Sequence, residues 1–143
     1  MVGFLVAILS GVLMSLQGVF NTEATKQTSM WTTAAFVHLT GMLVCLAAWL
    51  ITERTSFAKL FTVRPLYLLL GGIIGAFITY TVVVSMGKMG PALAVMFIVT
   101  AQLISAYLIE LFGLFGSERQ PFDMRKLIGM AVAVVGVIIF KWK

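Results

Sequence analysis

The sequence predicts an all-α, polytopic membrane protein with five transmembrane helices in a single transmembrane domain, residues 1–143. Its 143 residues are 61% hydrophobic and 10% charged, whereas a soluble globular chain is roughly half apolar and about 25% charged. Mean hydropathy is +1.08, and several apolar runs approach the roughly 20 residues that a helix needs to cross the hydrocarbon core. A surface this apolar belongs in lipid.

Five apolar runs are the predicted spans, residues 2–20, 30–51, 66–87, 91–115 and 124–140. The first is followed by a polar stretch, residues 21–29, which we expect to be a loop containing Glu23. The second lies between Trp31 and Trp49, and indole rings favour the headgroup level. The fourth begins at Pro91, where a proline fits the first helical turn because no backbone N–H is needed there.

Positive charge is divided unevenly between the two sides of the predicted membrane. Lysines and arginines resist translocation. The loops on the N-terminal side hold Arg54, Lys59, Arg64, Arg119, Arg125 and Lys126, and the opposite side holds Lys26, Lys88, Lys141 and Lys143. This modest bias favours a cytoplasmic N-terminus. A chain so nearly balanced is also suited to insertion in both orientations, which would supply an antiparallel homodimer.

Composition argues against several classes of function. The basic residues are scattered singly, so no nucleic-acid-binding face is expected. One cysteine, Cys45, and one histidine, His38, are too few for a disulfide framework, a closed metal site or a catalytic triad. The sequence therefore predicts neither an enzyme nor a cofactor or metal. A channel is not favoured either, because charged selectivity rings and a filter motif are missing.

A set of short motifs spread over the five spans resembles one family. The motifs are Gln17-Gly18 with Asn21, Arg64-Pro65, Gly71-Gly72 with Gly75, Gly90-Pro91, Gln102, the run Ile109-Glu110-Leu111-Phe112-Gly113-Leu114, and Arg125 with Gly129 and Gly136. In this order and spacing they resemble the YdcZ-type proteins of the drug/metabolite transporter superfamily. The family often has glycine before the span-four glutamine and an Asp-His pair before Phe-Gly, where this chain has Ala101, Glu110 and Leu111.

The resemblance implies a five-helix half unit of the drug/metabolite-transporter type. Such units occur as homodimers, as paired homologous subunits or as fused ten-helix chains with inverted halves. It also implies a bacterial inner-membrane location and substrates that are largely unassigned.

Polar side chains inside the spans are the first candidates for a substrate site, because a polar group is costly in hydrocarbon. Five such residues are expected to line the solute path: Gln17, Asn21, Tyr80, Gln102 and Ser105. The alternative for the amides is hydrogen bonding between neighbouring helices, which also occurs inside membranes.

Three titratable residues are candidates for proton coupling. Glu110 is the one carboxylate within an apolar run, and it would exchange protons there if shielded from water. Its alternative is a place at the helix end, paired with Arg125 or Lys126. His38 is either a proton relay or a packed core histidine. Glu23 is expected in the polar loop, unless a broken helix carries it inward.

Small residues at helical spacing predict close helix contacts. On span three these are Gly71 and Gly75. On span five, Gly129, Ala133 and Gly136 have few polar neighbours, which favours a packing or dimer face over a binding wall.

Taken together, these features predict a small-solute transporter that works by alternating access as an antiparallel dimer. Its predicted partners are an unidentified small-molecule substrate, membrane lipid and a second copy or paired homologous subunit, without nucleic acid. One alternative is a noncatalytic membrane subunit that stabilises or regulates another complex. Another is a small-cation or multidrug exporter coupled to protons.

Overall fold

The computed structural model describes residues 1–142, and their architecture confirms the all-α part of the predicted fold class. Lys143, which was included in the charge comparison, lies outside the described residues. Five α-helices follow one another, α1 (Val2–Gln27), α2 (Met30–Thr52), α3 (Gly71–Met89), α4 (Pro91–Phe112) and α5 (Met124–Lys141). Short 3-10 helices occupy Phe57–Thr62, Leu66–Leu70 and Leu114–Gly116.

Four helical stretches are long and apolar enough to cross a membrane: Val2–Gln27, Met30–Thr52, Leu66–Met89 and Pro91–Phe112. Helix α5 is shorter, at 18 residues, with Arg125 and Lys126 in its first turn and Lys141 at its end. At 1.5 Å per residue it is about 27 Å long, a little less than the hydrocarbon core of roughly 30 Å. The count of five crossings therefore stays a prediction.

Helix α1 continues to Gln27, so the expected loop at residues 21–29 shortens to Thr28 and Ser29, and Glu23 lies within the helix. Polar side chains support the extension, since Thr22 Oγ1 donates to the Gly18 carbonyl at 2.7 Å and Lys26 pairs with Glu23 at 2.6 Å. A 26-residue helix measures about 39 Å. Its polar end therefore has room to emerge from hydrocarbon without unwinding.

The chain divides after Gly87 into two compact units, the first with α1–α3 and the second with α4 and α5. In the first unit, side chains of α3 reach α1 at Gly18, which is buried. A Cβ atom placed on Gly18 would lie 2.5 Å from Met86 Cε and 3.2 Å from Val82 Cγ1. This contact therefore depends on the missing side chain.

Helices α2 and α3 meet through an aromatic pair and a glycine. The rings of Trp31 and Tyr80 are stacked, with centroids 5.5 Å apart and planes 20° apart. Nearer the middle of α2, His38 Nε2 lies 3.8 Å from the position that a Cβ on Gly75 would take. Gly75 therefore lies beside the His38 side chain of α2.

In the second unit, Tyr107 connects α4 to the start of α5. Its side chain is buried, and the Asp123 N–H donates to its hydroxyl at 3.1 Å. Asp123 in turn caps α5 by accepting from the Arg125 N–H at 2.8 Å. Helix α4 ends at Gly113, whose φ of +63° suits a residue without a Cβ.

Candidate functional site

Three of the predicted substrate-lining residues are polar, exposed and unpaired. Gln17 lies in α1, and Gln102 and Ser105 lie in α4. Within residues 1–142 none of these side chains has a hydrogen-bond partner. Gln102 stands halfway along α4, roughly 15 Å or more from either helix end. An amide left unpaired in hydrocarbon at that depth is costly, so Gln102 requires water, a solute or another protein surface.

Asn21, the fourth predicted substrate-lining residue, is buried. It is 7% exposed and its side-chain amide makes no hydrogen bond within the described part of the chain. One turn further along α1, the Thr25 hydroxyl is also buried without a partner. Gln17, Asn21 and Thr25 follow one another at four-residue spacing, so one stripe of α1 carries three polar groups that residues 1–142 leave unsatisfied.

Tyr80, the fifth, is 40% exposed at the side of α3. Because Trp31 stacks on its ring, the two side chains form a rigid aromatic surface in the first unit. Such surfaces suit apolar or cationic solutes. Gln17, Asn21 and Tyr80 thus belong to the first unit, and Gln102 and Ser105 belong to the second.

Glu110 lies two residues before the end of α4 and forms an ion pair with α5. Lys126 Nζ is 3.1 Å from Glu110 Oε2, and the two side chains are 46% and 47% exposed. Lys126 Nζ also stands 5.8 Å from the centre of the Tyr107 ring. Of the two sequence interpretations for Glu110, the pairing with Lys126 is therefore the one seen in the structure.

The Glu110–Lys126 pair stands at a groove between α4 and α5 with a volume of about 450 Å³. Its other walls are mainly apolar, formed by Leu103, Ala106, Tyr107, Gly129 and Met130. The groove is therefore charged at one end and apolar along the rest of its length.

The other two proton-coupling candidates also lie at accessible positions. Glu23 is exposed and paired with Lys26 at 2.6 Å. His38 is exposed beside Gly75, and its imidazole makes no hydrogen bond within residues 1–142. A coupling role for either residue stays a prediction.

The predicted packing residues fall into two groups. Gly75 contacts α2 inside the first unit, whereas a Cβ on Gly71, Gly129 or Gly136 would meet nothing within 4 Å. Ala133 is half-buried. The open glycines thus present unoccupied surface, and their predicted role in a dimer stays a prediction.

Sequence reasoning missed the part that Gly18 plays in packing. The signal was present, because Gly11, Ser15, Gly18 and Thr22 form a stripe of small residues beside Gln17. Small residues at this spacing leave room for a side chain of a neighbouring helix, and at Gly18 that side chain is Met86 of α3.

Among the described residues no group of three histidine, cysteine or acidic side chains could hold a metal ion. Long apolar helices with exposed hydrophobic surfaces define a polytopic, α-helical membrane protein. Over residues 2–139 the sequence matches the family described as "Putative inner membrane exporter, YdcZ". The chain belongs to that family, which confirms the resemblance seen in its motifs and places it in the inner membrane. No curated protein and no solved structure matches the chain.

Proposed function

We propose that this chain is a small-solute transporter that works by alternating access as an antiparallel dimer of five-helix protomers. The family of inner-membrane exporters supports the general transport role. The observation that carries the proposal is the exposed, unpaired amide of Gln102 at the middle of a membrane-spanning helix. A polar amide that faces lipid is costly, whereas a solute path needs polar side chains at this depth.

A dimer follows from the small size of the protomer. One chain has few residues with which to enclose a solute, but two inverted copies create a cavity near the midplane. The open surface at Gly136 suits a helix from a second copy. In this arrangement α5 is the fifth crossing, and its basic first turn lies in the headgroup layer.

The proposed path is lined by side chains that carry no formal charge: Gln17, Asn21, Tyr80, Gln102 and Ser105. Amides donate and accept hydrogen bonds, so they exchange partners with a passing solute at little electrostatic cost. When the two protomers exchange conformations, the opening moves from one face of the membrane to the other. Asn21 and Thr25, unsatisfied within the chain, supply further polar contacts along α1.

Gln17→Ala and Gln102→Ala are each expected to lower solute flux by about ten-fold or more, which corresponds to the loss of one hydrogen bond to the moving solute. The measurement uses proteoliposomes loaded with a defined mixture of amino acids, sugars and quaternary ammonium ions, with release followed by mass spectrometry. Gln27→Ala and Gln120→Ala, at the end of α1 and in the last loop, are matched controls that should keep wild-type flux. Equal flux in all four variants would contradict the proposal.

If the chain inserts into the membrane in both orientations, a cysteine placed at position 27 should be labelled from both sides of the membrane. In a Cys45→Ser background, Gln27→Cys should react with an impermeant maleimide in intact spheroplasts to about half of its final extent, because each orientation exposes a different face. Permeabilisation should complete the reaction. Complete labelling before permeabilisation, or none, would mean a single orientation and a parallel arrangement.

Two alternative functions make different demands. A noncatalytic membrane subunit needs no polar path, so its flux in the same assay would be indifferent to Gln17 and Gln102. A proton-coupled exporter of small cations or drugs needs a free carboxylate during its cycle. In the structure Glu23 and Glu110 are each paired with a lysine, so this alternative requires the pairs to open during the cycle, and neutralising both carboxylates should then abolish flux.

A further inference from the structure

We propose that the groove between α4 and α5 is a binding site for one phospholipid with a primary-amine headgroup, phosphatidylethanolamine. This inference does not depend on which solute the protein carries. It rests on the second unit alone, where a charged pair, a buried tyrosine and an open apolar groove occur together.

The shape of the groove matches an amphiphile. Glu110 and Lys126 stand at one end, while Leu103, Ala106 and Met130 form apolar walls along the rest. A free inorganic ion or a small polar solute would leave most of the 450 Å³ without a suitable partner. A headgroup with an acyl chain fills both the charged and the apolar parts.

The position of the pair fits the headgroup layer. Glu110 is close to the end of α4, and Lys126 belongs to the first turn of α5, so both lie where the helices leave the apolar region. Both side chains are about half exposed. A pair with this exposure contributes little when closed, so a ligand that bonds both partners can open it readily.

Charge complementarity selects the headgroup. Lys126 provides an ammonium for the lipid phosphate, and the neighbouring Arg125 adds a second positive charge at the same helix end. Glu110 provides a carboxylate that accepts N–H bonds from a primary ammonium. A phosphoethanolamine group satisfies both residues at once. Phosphatidylglycerol offers Glu110 only neutral hydroxyl groups in place of an ammonium, and the quaternary ammonium of phosphatidylcholine has no N–H to donate.

The surroundings of Lys126 allow its ammonium to move from Glu110 to a lipid phosphate. The Tyr107 ring lies beneath its ammonium, at 5.8 Å from the ring centre to Nζ, and is fixed by the hydrogen bond from the Asp123 N–H. The long, flexible lysine stem allows the ammonium to turn from Glu110 to a phosphate without moving the backbone. The groove remains open at Gly129, where an added Cβ would meet nothing within 4 Å.

The test is native mass spectrometry of the purified full-length chain, incubated in detergent with palmitoyl-oleoyl phosphatidylethanolamine, phosphatidylglycerol or phosphatidylcholine. We expect one phosphatidylethanolamine per chain, retained about ten-fold more tightly than the other two lipids, because each of them loses one charge-assisted hydrogen bond. Glu110→Gln should abolish the preference for the amine. Lys126→Gln should weaken retention of both phosphatidylethanolamine and phosphatidylglycerol.

Gly129→Leu tests the apolar part, since an added Cβ there meets nothing within 4 Å and the leucine side chain would occupy the groove, and it should remove the bound lipid. Three variants serve as matched controls and should keep it. Glu23→Gln and Lys26→Gln break a pair of the same chemistry at the end of α1. Gly41→Leu adds the same side chain at a helix position that is equally open.

Three results would overturn the inference. Equal retention of all three lipids would remove the headgroup assignment. Displacement of the lipid by O-phosphoethanolamine or inorganic phosphate at equal concentration would indicate a site for a free phosphate group. Loss of the dimer in Gly129→Leu, without any lipid bound to the wild type, would assign the groove to a second copy of the chain.

Discussion

Tyr107→Ala is expected to lower the free energy of unfolding by about 3 kcal/mol, the lower part of the range for removing a large buried ring. The ring is 7% exposed, so its loss leaves a cavity between α4 and α5. The substitution also removes the hydroxyl that accepts the Asp123 N–H, at the point where α5 begins. The cost falls in the lower part of the range because lipid solvates the separated helices better than water does.

The measurement is reversible unfolding in mixed detergent and sodium dodecyl sulfate micelles, followed by tryptophan fluorescence. Tyr107→Phe keeps the ring and should cost about 1 kcal/mol for the missing hydrogen bond. Phe112→Ala, which removes an aromatic ring that is 62% exposed on the same helix, should change stability by less than about 1 kcal/mol. If the alanine variants at 107 and 112 unfold alike, Tyr107 does not hold the two helices together.

The second large effect is expected at Gly18. Gly18→Leu should lower the free energy of unfolding by about 2–3 kcal/mol, because the new side chain enters space occupied by Met86 and Val82 and forces α1 away from α3. Gly18→Ala should cost less than leucine does, since the flexible end of Met86 can turn aside, although Val82 Cγ1 at 3.2 Å still restricts the methyl group.

Gly11→Leu is the matched control for this contact. Gly11 lies two turns earlier on the same side of α1, and a Cβ there would meet nothing within 4 Å. The variant should be neutral or slightly more stable, because leucine is a better helix former than glycine by up to about 1 kcal/mol. Destabilisation of the two leucine variants by the same amount would show that α1 tolerates no bulk at either position, independently of the α3 contact.

The helix bounds show where sequence reasoning works and where it stops. Span two was predicted at residues 30–51, and α2 runs from Met30 to Thr52, because Ser29 caps its start and its largely apolar run gives way to polar residues after Ile51. The end of α1 was misplaced, because Asn21 and Glu23 were interpreted as loop residues on polarity alone. Their side-chain surroundings, including the Glu23–Lys26 pair, favour a continued helix.

The sequence identified the unusual polar residues of the candidate site but not their surroundings. Polarity inside an apolar run identifies Gln17, Asn21 and Gln102 as unusual, but it does not distinguish a buried amide from an exposed one. The structure makes that distinction, with Asn21 buried and Gln102 exposed. The sequence offered Arg125 or Lys126 as a partner for Glu110, and the structure shows that the partner is Lys126.

Membrane class, helical architecture and the approximate place of each helix follow from the order of residues, because the transfer of apolar side chains into lipid depends on local composition. The contacts of Gly18 with Met86 and of Glu110 with Lys126 depend instead on how helices come together. Glu110 and Lys126 are 16 residues apart, on two helices. Which side chains meet across such a turn is set by the rotation of each helix about its axis, and that rotation is fixed by packing around residues such as Tyr107.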